Sequence, residues 1–184
     1  MKLRIAGLEA NHKDSGPGVR TELFVYGCLK ECPSCQNKWT EDMPFLEVGT
    51  FKLALKIVRI GNPNISISGG EPLEQVLSVI ELLKHVRRLN WLRFKRTNVL
   101  LYTGWTQQQI NFFRIFRNNY FEDLMANIDY FVTEPWDERK KYEIVEDTCV
   151  GSWNQKAYLV IHKKPAILRE LTVDRFGRLD VYDY

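Results

Sequence analysis

Along this chain the spacing of apolar positions switches between the strand period of two and the helix period near 3.6, and the switches mark out its elements. Residues 21–26 (TELFVY) are rich in β-branched and aromatic side chains and predict a strand. Residues 51–60 (FKLALKIVRI) carry apolar side chains at helical spacing and stop at Gly61-Asn62-Pro63, a strong breaker. A short strand over 64–68 runs into Gly69-Gly70-Glu71-Pro72. Residues 73–89 predict a second amphipathic helix, with Val76, Ile80, Leu83 and Val86 on one face. A strand over 98–102 ends at Thr103-Gly104, a helix follows from 107 to about 121, and further strands are predicted over 128–132 and 157–161.

Strand, loop and helix repeat in order, which favours parallel βαβ units over a sandwich or a bundle. The unusual residues all fall just after a predicted strand. In a parallel α/β sheet or a partial barrel those positions gather along the carboxyl edge, where ligands bind. Segments far apart in sequence are therefore expected to converge on one site.

Composition narrows the class without naming an activity. The 184 residues are expected to form one domain over 1–184, with 165–184 as a C-terminal extension. At 45% hydrophobic and 27% charged residues the chain reads as globular. Its net charge of +3, scattered among acidic residues, is too mild to argue for nucleic acid. No apolar run reaches bilayer length, so no membrane association is expected. Met1 to Gly7 lacks the apolar stretch of a signal peptide. Three of the four cysteines fall within eight residues, unlike a disulfide framework, and such clustering points to metal or redox chemistry in a reducing cytoplasm.

Those three are Cys28, Cys32 and Cys35, spaced C-x3-C-x2-C directly after the first predicted strand. A cubane iron–sulfur cluster normally takes four thiolates, so a loop offering three leaves one iron open to something other than protein. The alternative is a zinc knuckle completed by His12, Cys149 or His162, although zinc sites usually use two paired ligand clusters. Gly69-Gly70-Glu71-Pro72 reads in two ways. It is a tight turn with proline opening a helix, or an edge where backbone carbonyls face a ligand's ammonium group. Arg20, after Gly16-Pro17-Gly18, is a surface charge or an anion contact. Cys149 reads as a small packed hydrophobe, and the aromatic run Phe112, Phe113, Phe116, Tyr120 and Phe121 as mainly core.

Taken together, C-x3-C-x2-C after one strand and Gly-Gly-Glu-Pro after the next resemble the radical S-adenosylmethionine (SAM) superfamily. Asp14, Gly16-Pro17-Gly18 and Arg20, then Gly27-Cys28, Cys32-Pro33 and Cys35-Gln36-Asn37, are similar to its glycyl-radical activating enzymes. Tyr102-Thr103-Gly104-Trp105-Thr106 and Gly151-Ser152-Trp153-Asn154-Gln155 narrow the likeness to activators of anaerobic ribonucleoside-triphosphate reductase. The resemblance implies an incomplete TIM-like barrel of parallel βα units. It implies a [4Fe–4S] cluster held by Cys28, Cys32 and Cys35, with SAM on the fourth iron. Gly69, Gly70 and Glu71 would meet the amino end of SAM, Ser34 and Gln36 would lie near its adenine and the cluster, and Thr103, Thr133 and Glu134 would line the rest. An electron from a donor such as flavodoxin would cleave SAM to a 5′-deoxyadenosyl radical, which takes hydrogen from a glycine of the partner reductase. Two departures stand out: Ser34 occupies a place often held by an aromatic, and Thr133-Glu134-Pro135-Trp136 replaces an Asp-Gly-Pro-Phe run, with Glu134 as the substitute carboxylate. A small radical SAM enzyme acting on a small molecule, and a non-catalytic iron–sulfur or zinc adaptor, are the competing readings.

Overall fold

The computed structural model describes residues 1–30, 32–162 and 164–180. Its elements are β1 (Lys2–His12), β2 (Arg20–Val25), α1 (Trp39–Asp42), β3 (Leu46–Gly49), α2 (Thr50–Ile60), β4 (Asn64–Gly69), α3 (Val76–Trp91), β5 (Asn98–Tyr102), α4 (Gln107–Phe116), α5 (Asn118–Met125), β6 (Tyr130–Thr133), β7 (Lys156–Ile161) and β8 (Ile167–Leu171). One sheet takes the strands in the order β3-β1-β2-β4-β5-β6-β7-β8.

Only the centre is parallel. β2, β4, β5 and β6 pair in parallel, whereas β1 runs against both β2 and β3, and β7 against both β6 and β8. A parallel return needs a covering crossover, normally a helix. Between β6 and β7 the only helical turn is the short 3-10 piece Glu138–Lys140, so β7 comes back antiparallel. The sheet is mixed and open, with β3 and β8 at its edges, and does not close into a barrel.

Side-chain alternation along the strands sets up two unlike faces. Leu23, Val25, Ile65, Ile67, Val99, Leu101 and Phe131 join one core with α2, α3, α4 and α5. The other face carries Leu100, Tyr130, Val132, Ala157 and Leu171, packed with Cys149, Val150 and Leu179. On β2 and β4 the positions alternating with the core residues include, besides Phe24, four that are polar and still buried: Arg20, Glu22, Ser66 and Ser68. Arg20 is neither a surface charge nor an anion contact. It is 1% exposed, and its guanidinium donates to Pro17 O (3.0 Å), Ile65 O (2.8 Å) and Ser66 Oγ (2.7 Å). It ties the Gly16-Pro17-Gly18 turn to β4.

Two helices differ from the sequence reading. The stretch 73–89 begins as a 3-10 turn, Pro72–Gln75, before α3. The stretch 107–121 is two helices broken at Arg117, whose φ of −135° and ψ of 40° are not helical; Asn118 and Asn119 follow, residues whose side chains compete with the helical backbone. The break divides the aromatic run, leaving Phe113 and Phe121 in the core and Phe112 and Phe116 exposed. Among the described residues no helix is long and apolar enough to cross a membrane. Residues 165–180 of the expected extension form β8 and a return that lays Leu179 on the second core; 181–184 lie outside the described residues.

Candidate functional site

β2 delivers the chain to Gly27 and Cys28, and β4, its parallel neighbour, ends in Gly69-Gly70-Glu71. The two ends are joined through backbone. Gly70 N–H donates to Val25 O (2.9 Å) and Glu71 N–H to Gly27 O (2.8 Å). A Cβ on Gly70 would stand 2.2 Å from Gly27 O, and one on Gly69, whose φ is +95°, 2.7 Å from Val25 N and O. The missing side chains thus admit the backbone at the root of the cysteine loop. This is a tighter reason for glycine than either a simple turn or room for a ligand.

Glu71 is 1% exposed. Its Oε1 accepts from Leu73 N–H (3.0 Å) and the Thr103 hydroxyl (2.8 Å), and its Oε2 from Gly104 N–H (2.9 Å). Burial pushes its carboxyl up to about 7, in spite of those donors. One side chain therefore connects the ends of β4 and β5, with free lone-pair capacity beside the cysteine loop.

The four cysteines are unpaired, and the three of the loop are half-buried. Burial pushes the Cys28 thiol up to about 11, with Glu71 and Glu74 adding to the rise against the help of Lys30 N–H. Burial and Cys35 likewise raise the Cys32 thiol. Lys30 N–H donates to Cys28 Sγ (3.4 Å). Cys28, Cys32 and Cys35 open onto a cavity of about 410 Å³ that Gln36, Gly69, Gly70, Glu71, Thr103 and Glu134 also line. That size accepts a cofactor-sized ligand. Nine of the eleven site residues expected from the sequence meet there.

Ser34 and Thr133 do not. Ser34, in the left-handed region at φ 55°, opens onto a neighbouring groove with Lys30, Cys32, Trp136 and Arg139. Thr133 is fully buried at the end of β6. Glu134 reaches the cavity, but its Oε1 accepts from Gln107 N–H (2.8 Å) at the start of α4, a favoured place for a carboxylate. One of its oxygens is therefore engaged at the start of α4. The Gly151-Ser152-Trp153-Asn154-Gln155 run is a clasp. Gln155 Oε1 accepts from Gly151 N–H (2.8 Å) and Ser152 N–H (3.1 Å), and Asn154 Nδ2 donates to Pro135 O (2.8 Å). It presses Gly151 against Trp136 and Gln36, where a Cβ would meet the indole at 3.0 Å. Trp136 thereby becomes a cavity wall that sequence reading did not single out.

Thiolate sulfur is the donor that iron–sulfur clusters take, and three thiols of one loop facing one cavity, one already receiving a backbone N–H, fit that requirement. Iron held there would offset, through its positive charge, the burial that raises the Cys28 thiol. Of the zinc alternatives, His12 and Cys149 line the same cavity and His162 does not, and among the described residues none of them completes a ligand set with the cysteines as placed. His162 faces Asp129 (3.5 Å), Cys149 is packed in the second core at 1% exposure, and His12 lies against Asp14 and Glu22. Among the described residues no three His, Cys, Asp or Glu side chains stand close enough to hold a metal ion as placed.

The chain is similar to the anaerobic ribonucleoside-triphosphate reductase-activating protein of Escherichia coli K12, 35% identical over 103 residues that make up 53% of this chain and 66% of that protein. The protein of the same name from Enterobacteria phage T4 is 29% identical over 105 residues, 52% of this chain and 63% of the relative. The pyruvate formate-lyase-activating enzyme of Staphylococcus epidermidis is 30% identical over 95 residues, 47% of this chain and 38% of the relative. The match thus spans just under two thirds of the reductase-activating relatives. A family model described as a 4Fe-4S single cluster domain matches residues 15–158, well over half of the chain and inclusive of the cysteine loop and the Gly69-Gly70-Glu71 corner, and the chain belongs to that family.

Proposed function

We propose that this chain is a radical SAM activating enzyme that installs a glycyl radical in an anaerobic ribonucleoside-triphosphate reductase. The observation that carries the reading is the shared cavity wall. Three thiols and a buried carboxylate, contributed by two adjacent parallel strand ends, face one space. The names of the relatives and the 4Fe-4S family support it. We read the parallel centre of the sheet as an incomplete barrel of the radical SAM type, within one domain over 1–184.

Cys28, Cys32 and Cys35 would hold a [4Fe–4S] cluster, leaving one iron for SAM. When bound, the cluster supplies the electron that cleaves SAM to methionine and the 5′-deoxyadenosyl radical, which removes hydrogen from the partner's glycine. The chain's own residues bind and orient. Glu71, held by Thr103, Gly104 and Leu73, presents a lone pair to an ammonium group, and the carbonyls of Gly69 and Gly70 flank it. Thr103 acts through Glu71 as a positioning residue. Phe24, Trp39 and Trp136 wall the cavity and limit water. No protein acid or base is needed for hydrogen-atom transfer. Unpaired thiols suit a cytoplasmic setting, and a small redox protein such as flavodoxin suits the role of donor.

The test is electron paramagnetic resonance on a candidate reductase mixed with the reconstituted protein, SAM and reductant. A glycine-centred doublet that requires every component is expected. Release of 5′-deoxyadenosine without that doublet would favour a small-molecule radical SAM enzyme, and no 5′-deoxyadenosine would leave only an adaptor.

A further inference from the structure

The turn from α3 into β5 stands out from the body of the chain. Its successive residues Trp91-Leu92-Arg93-Phe94-Lys95-Arg96 are all exposed, and among them Trp91 is 74%, Leu92 59% and Phe94 101% exposed. Single apolar side chains in solvent are ordinary, but three large ones within four residues make a patch. Phe94 also holds the left-handed backbone, with φ at 55°, a strained choice for a bulky residue. Its ring buries nothing in return.

The charge around this knob is one-sided. Arg93 donates to Val58 O and Lys95 Nζ to Gly61 O (2.6 Å), so these two answer carbonyls at the C-terminal end of α2, where cations are favoured. Arg59 at that end of α2, and Arg88 and Arg96 before and after the apolar tip, are exposed. Among the described residues no carboxylate pairs with any of the five. Tryptophan and arginine together dominate the energetics of protein interfaces, and a guanidinium fork matches a carboxylate. An interfacial membrane helix instead lays a continuous apolar face along its length, whereas Lys84 and Arg88 occupy the exposed side of α3 before Trp91.

A second contact is also needed on grounds of area. A cavity of about 410 Å³ that must hold a cofactor admits only a short segment of a partner, while a stable protein complex buries about 1,600 Å² in total. Most of the contact therefore lies outside the cavity. The knob sits at the start of β5, about 15 Å from the end of that strand that reaches the cavity, so docking there leaves the mouth clear. We propose that the 91–96 segment is a docking knob for an acidic surface of the partner reductase, its apolar tip entering a pocket ringed by carboxylates that meet Arg59, Arg88 and Arg96. The inference rests on the reading that the partner is a reductase, and adds the surface by which that partner is held.

Binding of the candidate reductase to the anaerobically reconstituted protein is measured by biolayer interferometry. Phe94→Gly separates docking from folding, because glycine suits the left-handed backbone and leaves the fold at least as stable. It is expected to weaken binding about tenfold, as is Trp91→Ser. Arg88→Glu combined with Arg96→Glu is expected to weaken it about tenfold at low ionic strength and little at high, where exposed charges are screened. Release of 5′-deoxyadenosine in the absence of reductase is expected to be unchanged in all of them. Binding at low ionic strength within about twofold of the unaltered chain, in any of the three, overturns the proposal. Loss of 5′-deoxyadenosine release in Phe94→Gly overturns it as well, since the knob would then act on the cofactor. Cosedimentation with phosphatidylserine vesicles that these variants abolish would give the knob to a membrane surface and overturn it too. Where the reductase acquires its glycine doublet and every variant binds like the unaltered chain, the knob alone fails. Where the unaltered chain neither binds the reductase nor produces the doublet, the reading beneath fails and takes the knob with it.

Discussion

The Gly69-Gly70-Glu71 corner and the cysteine loop face one cavity, yet the chain holds them in opposite ways. At the corner each group is committed: Gly70 and Glu71 bond to the β2 backbone, and the Glu71 carboxylate takes three donors. Among its described residues the loop over 28–37 is fastened mainly at its ends, with the exposed contact of Lys30 Nζ to Gln109 Oε1 (3.0 Å) between them. Gly27 hangs from Glu71, Leu29 N–H donates to Glu74 (2.7 Å), and Asn37 O accepts from buried Thr40 N–H (2.9 Å). Between them the cysteines are half-buried and Ser34 sits in the left-handed region. The contrast teaches that protein contacts fix where the loop starts and stops, while its interior is left for a cluster to order. The same division predicts which substitutions disturb the fold and which disturb only the metal.

Gly70→Ala should do most harm to the fold. Its Cβ would meet rigid backbone at Gly27 O, so urea denaturation is expected to show a loss of about 3 kcal/mol or more. A loss under about 0.5 kcal/mol would break the view of the corner as a backbone joint. The Glu71 carboxyl comes next. Its value of about 7 in the folded chain exceeds the ordinary 4.5, so the folded state holds the proton more tightly than the unfolded one. Its contribution to stability is complete below pH 4.5 and is lost as pH rises through 7. Denaturation at pH 5 and pH 7 should differ by about 2 kcal/mol, at a slope no steeper than about 1.4 kcal/mol per pH unit, and Glu71→Gln should flatten that slope. Thr103→Val removes one buried donor to Glu71 and should cost about 1.5 kcal/mol at pH 8, measured in the same way. Smallest on stability are Cys28→Ser, Cys32→Ser and Cys35→Ser in the metal-free chain, each within about 1 kcal/mol. Iron analysis after anaerobic reconstitution should nonetheless show each of them stripped of its cluster. A cysteine variant that unfolds the metal-free chain would erase the contrast between the two regions.

Much of this division was legible in the sequence, because its carriers are local. β2, β4 and β5 announce themselves through β-branched and apolar runs, and the motifs that follow them state their chemistry by residue type and spacing. What escaped depends on partners distant in sequence. β1 turns only Leu3 and Ile5 fully inward, too few for a period to register, and β3 and β8 are short edge strands of four and five residues. With β1 unseen, the acidic end of the cavity, where His12 lies against Asp14 and Glu22, was invisible, since it forms only when His12 is set opposite Arg20 in the β1–β2 register. Arg20 could be mistaken for a surface charge because the oxygens that hold it come from the 15–18 turn, β4 and β5. That Glu134 gives one oxygen to the start of α4 escaped because that helix end is 27 residues away.

The claim beneath all of this is a cluster with one iron left open by a three-cysteine loop. Its most direct test is the electron paramagnetic resonance spectrum of the reduced, anaerobically reconstituted protein, recorded before and after adding SAM. A [4Fe–4S] signal whose g-values shift when SAM binds is the expected result. An unchanged signal, or protein that takes up no iron while remaining folded, would contradict it.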